Sequence, residues 1–340
     1  MNSRWTRWSV LGIPYESADN DYTPIDAEKT LFVGNKEVAH NRYTLQTLAI
    51  TLMVAVCAKD MTALAVDLRP DNCRFHHIDA EDSPHEDLMA HFDRAVDLID
   101  EELVDRGGRV MVWCGAGWSR SVTIVAAYLM RRDRCTGDEA LELIRRVRPK
   151  INPNAGFVAQ LRLYHEMNYR LDVTHREYRV FAVIALRRRV WTDKYWSDTR
   201  VGALQRQFSE PMRRYFHKMA KSVAKRESPP VVAITGAKTG RYHCRDCDGV
   251  VADELNVLRT ADADSGHGSG AEECDKMFVE PMEWMLPSIC VQKKGDLLCG
   301  NCSVPLGAFK WKAFKCDCLL HQPLQDSTVF KIMKTQVVYK

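Results

Sequence analysis

The stretch Val110-Met-Val-Trp-Cys114-Gly-Ala-Gly-Trp-Ser-Arg120-Ser121 decides how this chain reads. It opens as an apolar run, passes through a loop with two glycines, and continues as a helical segment, Ser121-Val-Thr-Ile-Val-Ala-Ala-Tyr-Leu-Met. A strand that feeds a helix through a tight loop aims backbone N–H groups at one point, and that point favours an anion. Gly115 and Gly117 let the backbone curl without a Cβ clash. Arg120 supplies a planar fork that fits two phosphate oxygens. Gly115, Ala116, Gly117, Trp118, Ser119 and Arg120 are therefore the candidate phosphate-binding residues. Cys114 sits at the base of the cradle, where amide dipoles and the arginine favour its thiolate. A thiolate facing a bound phosphate is a nucleophile for phosphoryl transfer.

The segments on either side supply a frame. Thr30-Leu-Phe-Val-Gly34 reads as a strand and glycine turn, Glu37 to Leu48 as a helix, and Ile50 to Val56 as a buried strand. Phe75 to Ile78 is a further strand, and Ala80 to Asp87 a polar loop. Leu88, Phe92, Val96, Ile99 and Leu103 recur at helical spacing up to Gly107-Gly108. Downstream, Thr136-x-x-Glu139 is a capping box, Pro149 stops that helix, and Pro153-Asn154 opens another with Phe157, Leu161 and Tyr164 on one face. Strands alternating with helices predict an α/β domain over residues 25–170, a central sheet wrapped by helices. Residues 1–24 carry Trp5, Trp8 and Tyr15 without a clear period and read as a lead-in.

With 340 residues the chain has length for about two domains. It is 46% hydrophobic and 27% charged, as soluble globular proteins are. A net charge of +3 is too small to imply nucleic-acid binding by itself. No basic start precedes an apolar core, so no signal peptide is expected. Leu45 to Ala58 is too short and mixed to span a bilayer, so no membrane partner is expected. Residues 171–235 form a basic helical linker: 171–227 hold 14 Lys/Arg against 6 Asp/Glu. Trp191, Tyr195 and Trp196 lie among those charges, which could face solvent or meet RNA or an acidic protein.

The 12 cysteines are unevenly spread. Cys57, Cys73, Cys114 and Cys135 precede residue 200, and the others follow residue 240. Cys244-x2-Cys247 and Cys299-x2-Cys302 each read as a turn that points two thiolates at one spot, and together they make a tetrahedral zinc site. Cys274, Cys316 and Cys318 suggest a second site whose fourth ligand is open, with His267 and His321 as candidates. Cys290 and His243 suit packing or surface roles better. Residues 236–340 thus form a small β-rich zinc-binding domain that lacks a large apolar core of its own. Such segments often need metal to fold.

Cys114, Arg120 and Ser121 match the His-Cys-x5-Arg-Ser/Thr signature of cysteine-dependent protein phosphatases, and the chain resembles their dual-specificity branch. Leu31-Phe-Val-Gly-Asn35, Arg148-Pro149 and Pro153-Asn154-x-Gly-Phe157 carry that resemblance to both ends of the domain. Trp113 stands where the family has histidine, which implies weaker activity. At the other end, Cys274-x3-Phe278-Val-Glu280-Pro281-x2-Trp284, Gly295-x-Leu-Leu-Cys299-x2-Cys302-x4-Gly307-x-Phe309-x-Trp311 and Cys316-x-Cys318 resemble the zinc domain of the YVH-type dual-specificity phosphatases.

The resemblance implies hydrolysis of phosphotyrosine and phosphoserine/threonine in phosphoprotein substrates through a phosphocysteine. Asp82 would be the general acid, with Asp79 and Asp87 as rivals, and Ser121 would help the sulfur leave. Trp118 would line a shallow pocket mouth. That chemistry needs no metal, so two zinc ions would be structural. It also implies a role in large ribosomal subunit assembly, with the zinc domain and basic linker meeting protein or RNA of a pre-ribosomal particle, in cytoplasm and nucleus. The competing reading is a weakly active phosphatase-fold binding module whose zinc domain does the docking.

Overall fold

Short runs of branched apolar residues become strands in the computed structural model, which describes residues 21–58, 62–192, 210, 212–214, 240–257, 276–310 and 330–340. The chain divides into two units, Met1–Asp172 and Val173–Lys340. In the first, β1 (Tyr22–Pro24), β2 (Leu31–Gly34), β3 (Leu52–Val56), β4 (Arg74–Ile78) and β5 (Val110–Trp113) form one sheet in the order β1-β2-β5-β3-β4. The strands β2, β5, β3 and β4 run parallel, and β1 is antiparallel to β2. All residues of β2, β3 and β5 are buried, as expected of parallel strands covered on both faces.

Helices cover the sheet. On one face Phe32, Met53, Ala55, Met111 and Trp113 pack with Val38, Ala39 and Leu45. These last come from α1 (Lys36–Ala39) and α2 (Arg42–Thr47). A short α3 (Ala63–Leu68) adds Ala65 to the same cluster. Three longer helices, α4 (Phe92–Asp100), α6 (Gly137–Val147) and α7 (Ala155–Glu166), pack around α5 (Arg120–Asp133), which lies against β5, β2 and β3. Ten consecutive residues of α5, Ser121 to Met130, are buried, so the helix that leaves the phosphate loop is the central one.

Several sequence expectations change in detail. The helix expected over Glu37 to Leu48 is two, because the Asn35 and Asn41 side chains each accept a helix-opening amide, from Val38 and Thr44. A side chain that caps offers the backbone an exit from the helix it interrupts. The strand expected from Ile50 begins at Leu52, since the Thr51 amide and hydroxyl both bind Arg109 O. The lead-in drawn over residues 1–24 includes β1, and its other residues up to 20 lie outside the described ones. The capping box at Thr136 and Glu139 is present.

In the second unit, the segment read as a solvated basic linker contains α8 (Arg176–Thr192), with Tyr178, Ala182, Val183, Ala185 and Leu186 buried. Arg179 makes a two-pronged ion pair at 2.7 Å with Glu280, whose side chain is 2% exposed. The basic residues of this segment therefore conceal an apolar face. Most of the remainder of 193–239 lies outside the described residues.

Two antiparallel sheets follow. One has the order β8-β11-β10-β9, from β8 (Lys276–Val279), β9 (Lys294–Leu298), β10 (Pro305–Lys310) and β11 (Phe330–Met333). The other is β12-β6-β7, from β6 (Arg241–Cys244), β7 (Val250–Asp253) and β12 (Val337–Tyr339). Met277, Val279, Leu297, Leu306, Phe309 and Phe330 are buried, together with Leu286 and Ile289 of α9 (Leu286–Ile289). The expectation that the cysteine-rich end lacks a large apolar core of its own is corrected by these buried residues. No described helix is long and apolar enough to cross a membrane.

Candidate active site and metal centre

The Cys114–Ser119 loop joins β5, all of whose residues are buried, to α5, of which Ser121 to Met130 are buried. Cys114 is 1% exposed, and its Sγ lies 3.2 Å from Ser121 Oγ on the first turn of α5. The loop carbonyls are tied down from outside. Gly115 O accepts from Lys36 N at 3.1 Å, Gly117 O from Arg148 Nε at 2.9 Å, and Trp118 O from Asn152 N at 2.9 Å. A planar trans peptide points its N–H opposite to its C=O. The amides of Ala116, Trp118 and Ser119 therefore turn away from those donors, which leaves them available to an oxyanion. Of the two loop glycines expected to curl freely, only Gly117 takes a positive φ, +70°. A Cβ there would lie 2.7 Å from Gly34 O, so that position needs glycine for space as well.

Arg120 swings under the cradle. Its Nη1 donates to Ala80 O at 3.1 Å, while its buried Nε has no hydrogen-bond partner and stands 3.9 Å from Asp82 Oδ2. A buried guanidinium N–H without an acceptor is costly unless an anion completes it. Asp82 sits on the polar loop after β4. Its Oδ1 accepts from Ser119 Oγ at 2.7 Å and from Asn154 Nδ2 at 2.8 Å. Asn154 meanwhile caps α7 through its Oδ1 to Phe157 N. Gly156 lets that helix approach so closely: a Cβ would fall 2.0 Å from Pro84 O.

Among the three candidate acids, Asp82 is the one beside Arg120 and the loop. Asp87 is buried and accepts from Ala90 N at the start of the next helix, and Asp79 is exposed. Trp118, 46% exposed, stands at the mouth. Sequence reasoning missed Asn154 and Ser119 as holders of the acid, although Asn154 was visible as a helix opener.

Trp113 is wholly buried and points into the α1–α2 face rather than at the loop. Its ring stands edge-on to His40 at 6.0 Å, and its Nε1 has no hydrogen-bond partner. Cys73 and Cys135 are poor nucleophiles: burial pushes both thiols up to about 11.

The C-terminal unit brings four cysteines together. The Sγ atoms of Cys244, Cys247, Cys299 and Cys302 lie within 4.8 Å of one another, with Cys244–Cys302 and Cys247–Cys299 each at 3.7 Å. The two turns are built alike. Asp248 N donates to Cys244 O and Ser303 N to Cys299 O, while Cys244 N donates to Gly249 O and Cys299 N to Val304 O. Asp248 and Ser303, one step after each second cysteine, take positive φ of 59° and 63°. Four sulfurs about 2.3 Å from a tetrahedral centre are about 3.8 Å apart, so this cluster fits a Zn²⁺-sized ion. Hydrogen bonds from the Asn301 side chain, then the Gly249 backbone, pull the Cys247 thiol down to about 6. Cys290 is buried, is not one of the four grouped cysteines, and is pushed up to about 12 by desolvation, which suits packing. His243 Nδ1 lies 2.8 Å from Asp248 O. Cys274, Cys316, Cys318, His267 and His321, the proposed second site, lie outside the described residues.

A mostly parallel sheet whose strand β5 leads through a Cys-x5-Arg loop into a buried helix is the architecture of a phosphatase-fold domain. A family model described as "Dual specificity phosphatase, catalytic domain" matches residues 31–167. Dual specificity protein phosphatase 12 of Mus musculus is 27% identical over 312 residues, covering 86% of this chain and 83% of that protein. Tyrosine-protein phosphatase yvh1 of Schizosaccharomyces pombe is 30% identical over 292 residues, covering 83% of this chain and 79% of that protein. The crystal structure of the Yvh1 phosphatase domain from Chaetomium thermophilum aligns with a TM-score of 0.37 and 28% identity over 42% of this chain and 94% of that one. The chain belongs to the YVH-type dual-specificity phosphatases, and that membership supports a protein phosphatase function.

Proposed function

We propose that this chain hydrolyses phosphotyrosine and phosphoserine/threonine in proteins through a phosphocysteine on Cys114. The observation that supports it most is the meeting of Cys114, Ser121, Arg120 and Asp82 around one loop. Cys114 Sγ attacks phosphorus, forming the S–P bond as the P–O bond to the substrate breaks. Arg120 and the loop amides hold the three equatorial oxygens. Asp82 gives its proton to the departing oxygen, then takes one from the water that cleaves S–P. Inorganic phosphate leaves, and Ser121 Oγ donates to the departing sulfur.

Asp82→Asn tests the acid. The loss in kcat should be on the order of 10²–10⁴ for a poor leaving group and should shrink as the leaving phenol becomes more acidic. A loss that is equal across a leaving-group series would exclude Asp82 as the proton donor.

The buried indole of Trp113 favours low turnover as part of this reading. It has one donor and no acceptor, so it cannot copy an imidazole that bonds the loop. Trp113→His should raise turnover and move the acidic limb of the pH–rate profile to lower pH. It also opens space in the core, at a cost on the order of 3 kcal/mol. The pH–rate profile and melting temperature, taken together, decide. A destabilised variant with an unmoved limb leaves Trp113 as packing alone.

Likeness to the YVH type supports two further proposals. Zinc fills the four-cysteine centre and joins its two turns, and a second ion takes Cys274, Cys316 and Cys318. The zinc domain and the basic residues of 171–235 carry the protein onto pre-ribosomal particles, in nucleus and cytoplasm.

A further inference from the structure

A second guanidinium lies beside the phosphate loop, and the steps above give it no role. Arg148 follows α6 and is 7% exposed. Its Nε donates to Gly117 O at 2.9 Å, and its Nη1 to Thr23 Oγ1 on β1 at 2.8 Å. It therefore ties the end of α6, the edge strand and one loop peptide to a single rigid fork. The peptide it holds is the one that follows the loop's positive-φ glycine. Glycine leaves that peptide free to rotate. Rotated by half a turn, it would aim its carbonyl oxygen, rather than the Trp118 N–H, at a bound oxyanion.

The charge matters too. Burial pushes the Arg148 guanidinium down from its ordinary value, while attraction to Cys114 and then Asp21 holds it up. A cation attracted to Cys114 from within the protein attracts the same negative charge that phosphate brings.

We propose that Arg148 is a positioning residue of the phosphoryl-transfer site. It fixes the Gly117–Trp118 peptide with its N–H toward the phosphate and sets a second positive charge beside that peptide. This rests on the reading of the Cys114 loop as a phosphate site. Arg120 meets the phosphate; Arg148 shapes what meets it.

The test uses the full chain as wild type, Arg148→Met, Arg148→Lys and Cys114→Ser. Inorganic tungstate serves as the oxyanion probe, with affinity measured by calorimetry and referred to the folded fraction. Aryl phosphate kinetics run alongside. Losing a preorganised donor and a charge should weaken tungstate about 30-fold in Arg148→Met and lower kcat/KM by about 10². Lysine keeps the charge but cannot fork to both Gly117 and Thr23, so it should recover part, remaining about fivefold weak. A purely structural role would lower melting temperature and active fraction without moving tungstate affinity. Tungstate affinity within twofold of wild type in Arg148→Met, or in Arg148→Lys should the former not fold, overturns the proposal. If wild-type turnover depends on Cys114 and the Arg148 variants match it, only the role of Arg148 fails. If wild type binds no tungstate, the phosphate-site reading fails, and this proposal with it.

Discussion

Cys114→Ser should lower hydrolysis of an aryl phosphate by about 10⁴-fold or more, the scale seen when an enzyme's nucleophile is removed. Two features of the site make the expected loss this large. A serine hydroxyl at this spot has no general base to deprotonate it: the described neighbours of Sγ are Ser121 Oγ and the loop, and Asp82 is held by Ser119 and Asn154. Nor is an alkoxide a good leaving group from phosphorus, so a phosphoserine formed slowly would also break slowly. The fold should survive. Serine replaces cysteine with little change in volume, it can keep a hydrogen bond to Ser121, and the loop carbonyls remain tied to Lys36, Arg148 and Asn152. Kinetics in a buffer with chelator, with tungstate affinity and a thermal melt on the same sample, make the check. Tungstate bound tightly by an inactive, folded variant is the expected result. Turnover near that of wild type would dismiss the cysteine mechanism and the roles drawn from it.

The loop was legible in the sequence because its chemistry is local. Six residues, Cys114 to Ser119, join one strand to one helix, and the candidate nucleophile, the arginine and Ser121 all lie within eight positions. What positions the loop is not local. Thr23, Gly34, Lys36, Arg148 and Asn152 come from four segments that share no period and no spacing. β1 is three residues long and ends in proline, so it carries no alternation to recognise. The candidate acid Asp82 shows the same division: its place on a polar loop was readable, but the Asn154 bridge from α7 needed the fold.

Charge misled where burial decided. The run of arginines around Arg187 suggested a solvated helix, and the small residues between them, Ala182, Val183 and Ala185, were too few to announce a buried face. The face is made complete by Tyr178 and by the Arg179–Glu280 pair, an ion pair linking residues distant in sequence. A buried pair of this kind is weak evidence for net stability, yet removing either partner strands a charge. In the cysteine-rich end, Cys-x2-Cys spacing announced a metal centre, but not that the first cysteine of one turn lies against the second of the other.

That interleaving sets the remaining large expectation. Stripping metal with a strong chelator, or changing Cys299 to serine, should undo the packing of the C-terminal unit. Cys244 ends β6 and Cys247 lies in the turn after it, while Cys299 and Cys302 follow β9 of the other sheet. An ion held by all four therefore staples two sheets whose other described links include the Val257–Val279 bridge and the Glu280 amide to Asn256 O. Structural zinc in small domains contributes about 10–16 kcal/mol of apparent binding energy near neutral pH, comparable with the whole stability of a domain. Without it, four thiols at 3.7–4.8 Å lose their common partner, and any thiolates among them repel. The buried apolar core of this unit should leave a loosened globule rather than a random chain. Trp284 reports the change from close by: its indole donates to Val251 O at 2.9 Å, and its Cβ packs against Gly300 inside the second turn. Chelation should shift its environment toward water and erase the unit's melting transition, while an N-terminal unit built on its own sheet keeps its aryl phosphatase activity. Elemental analysis of the untreated protein should give at least one zinc per chain, and two if Cys274, Cys316 and Cys318 hold another. A zinc-free chain with an intact transition would show that the four thiols are ordinary packing, and a transition unmoved by Cys299→Ser would say the same.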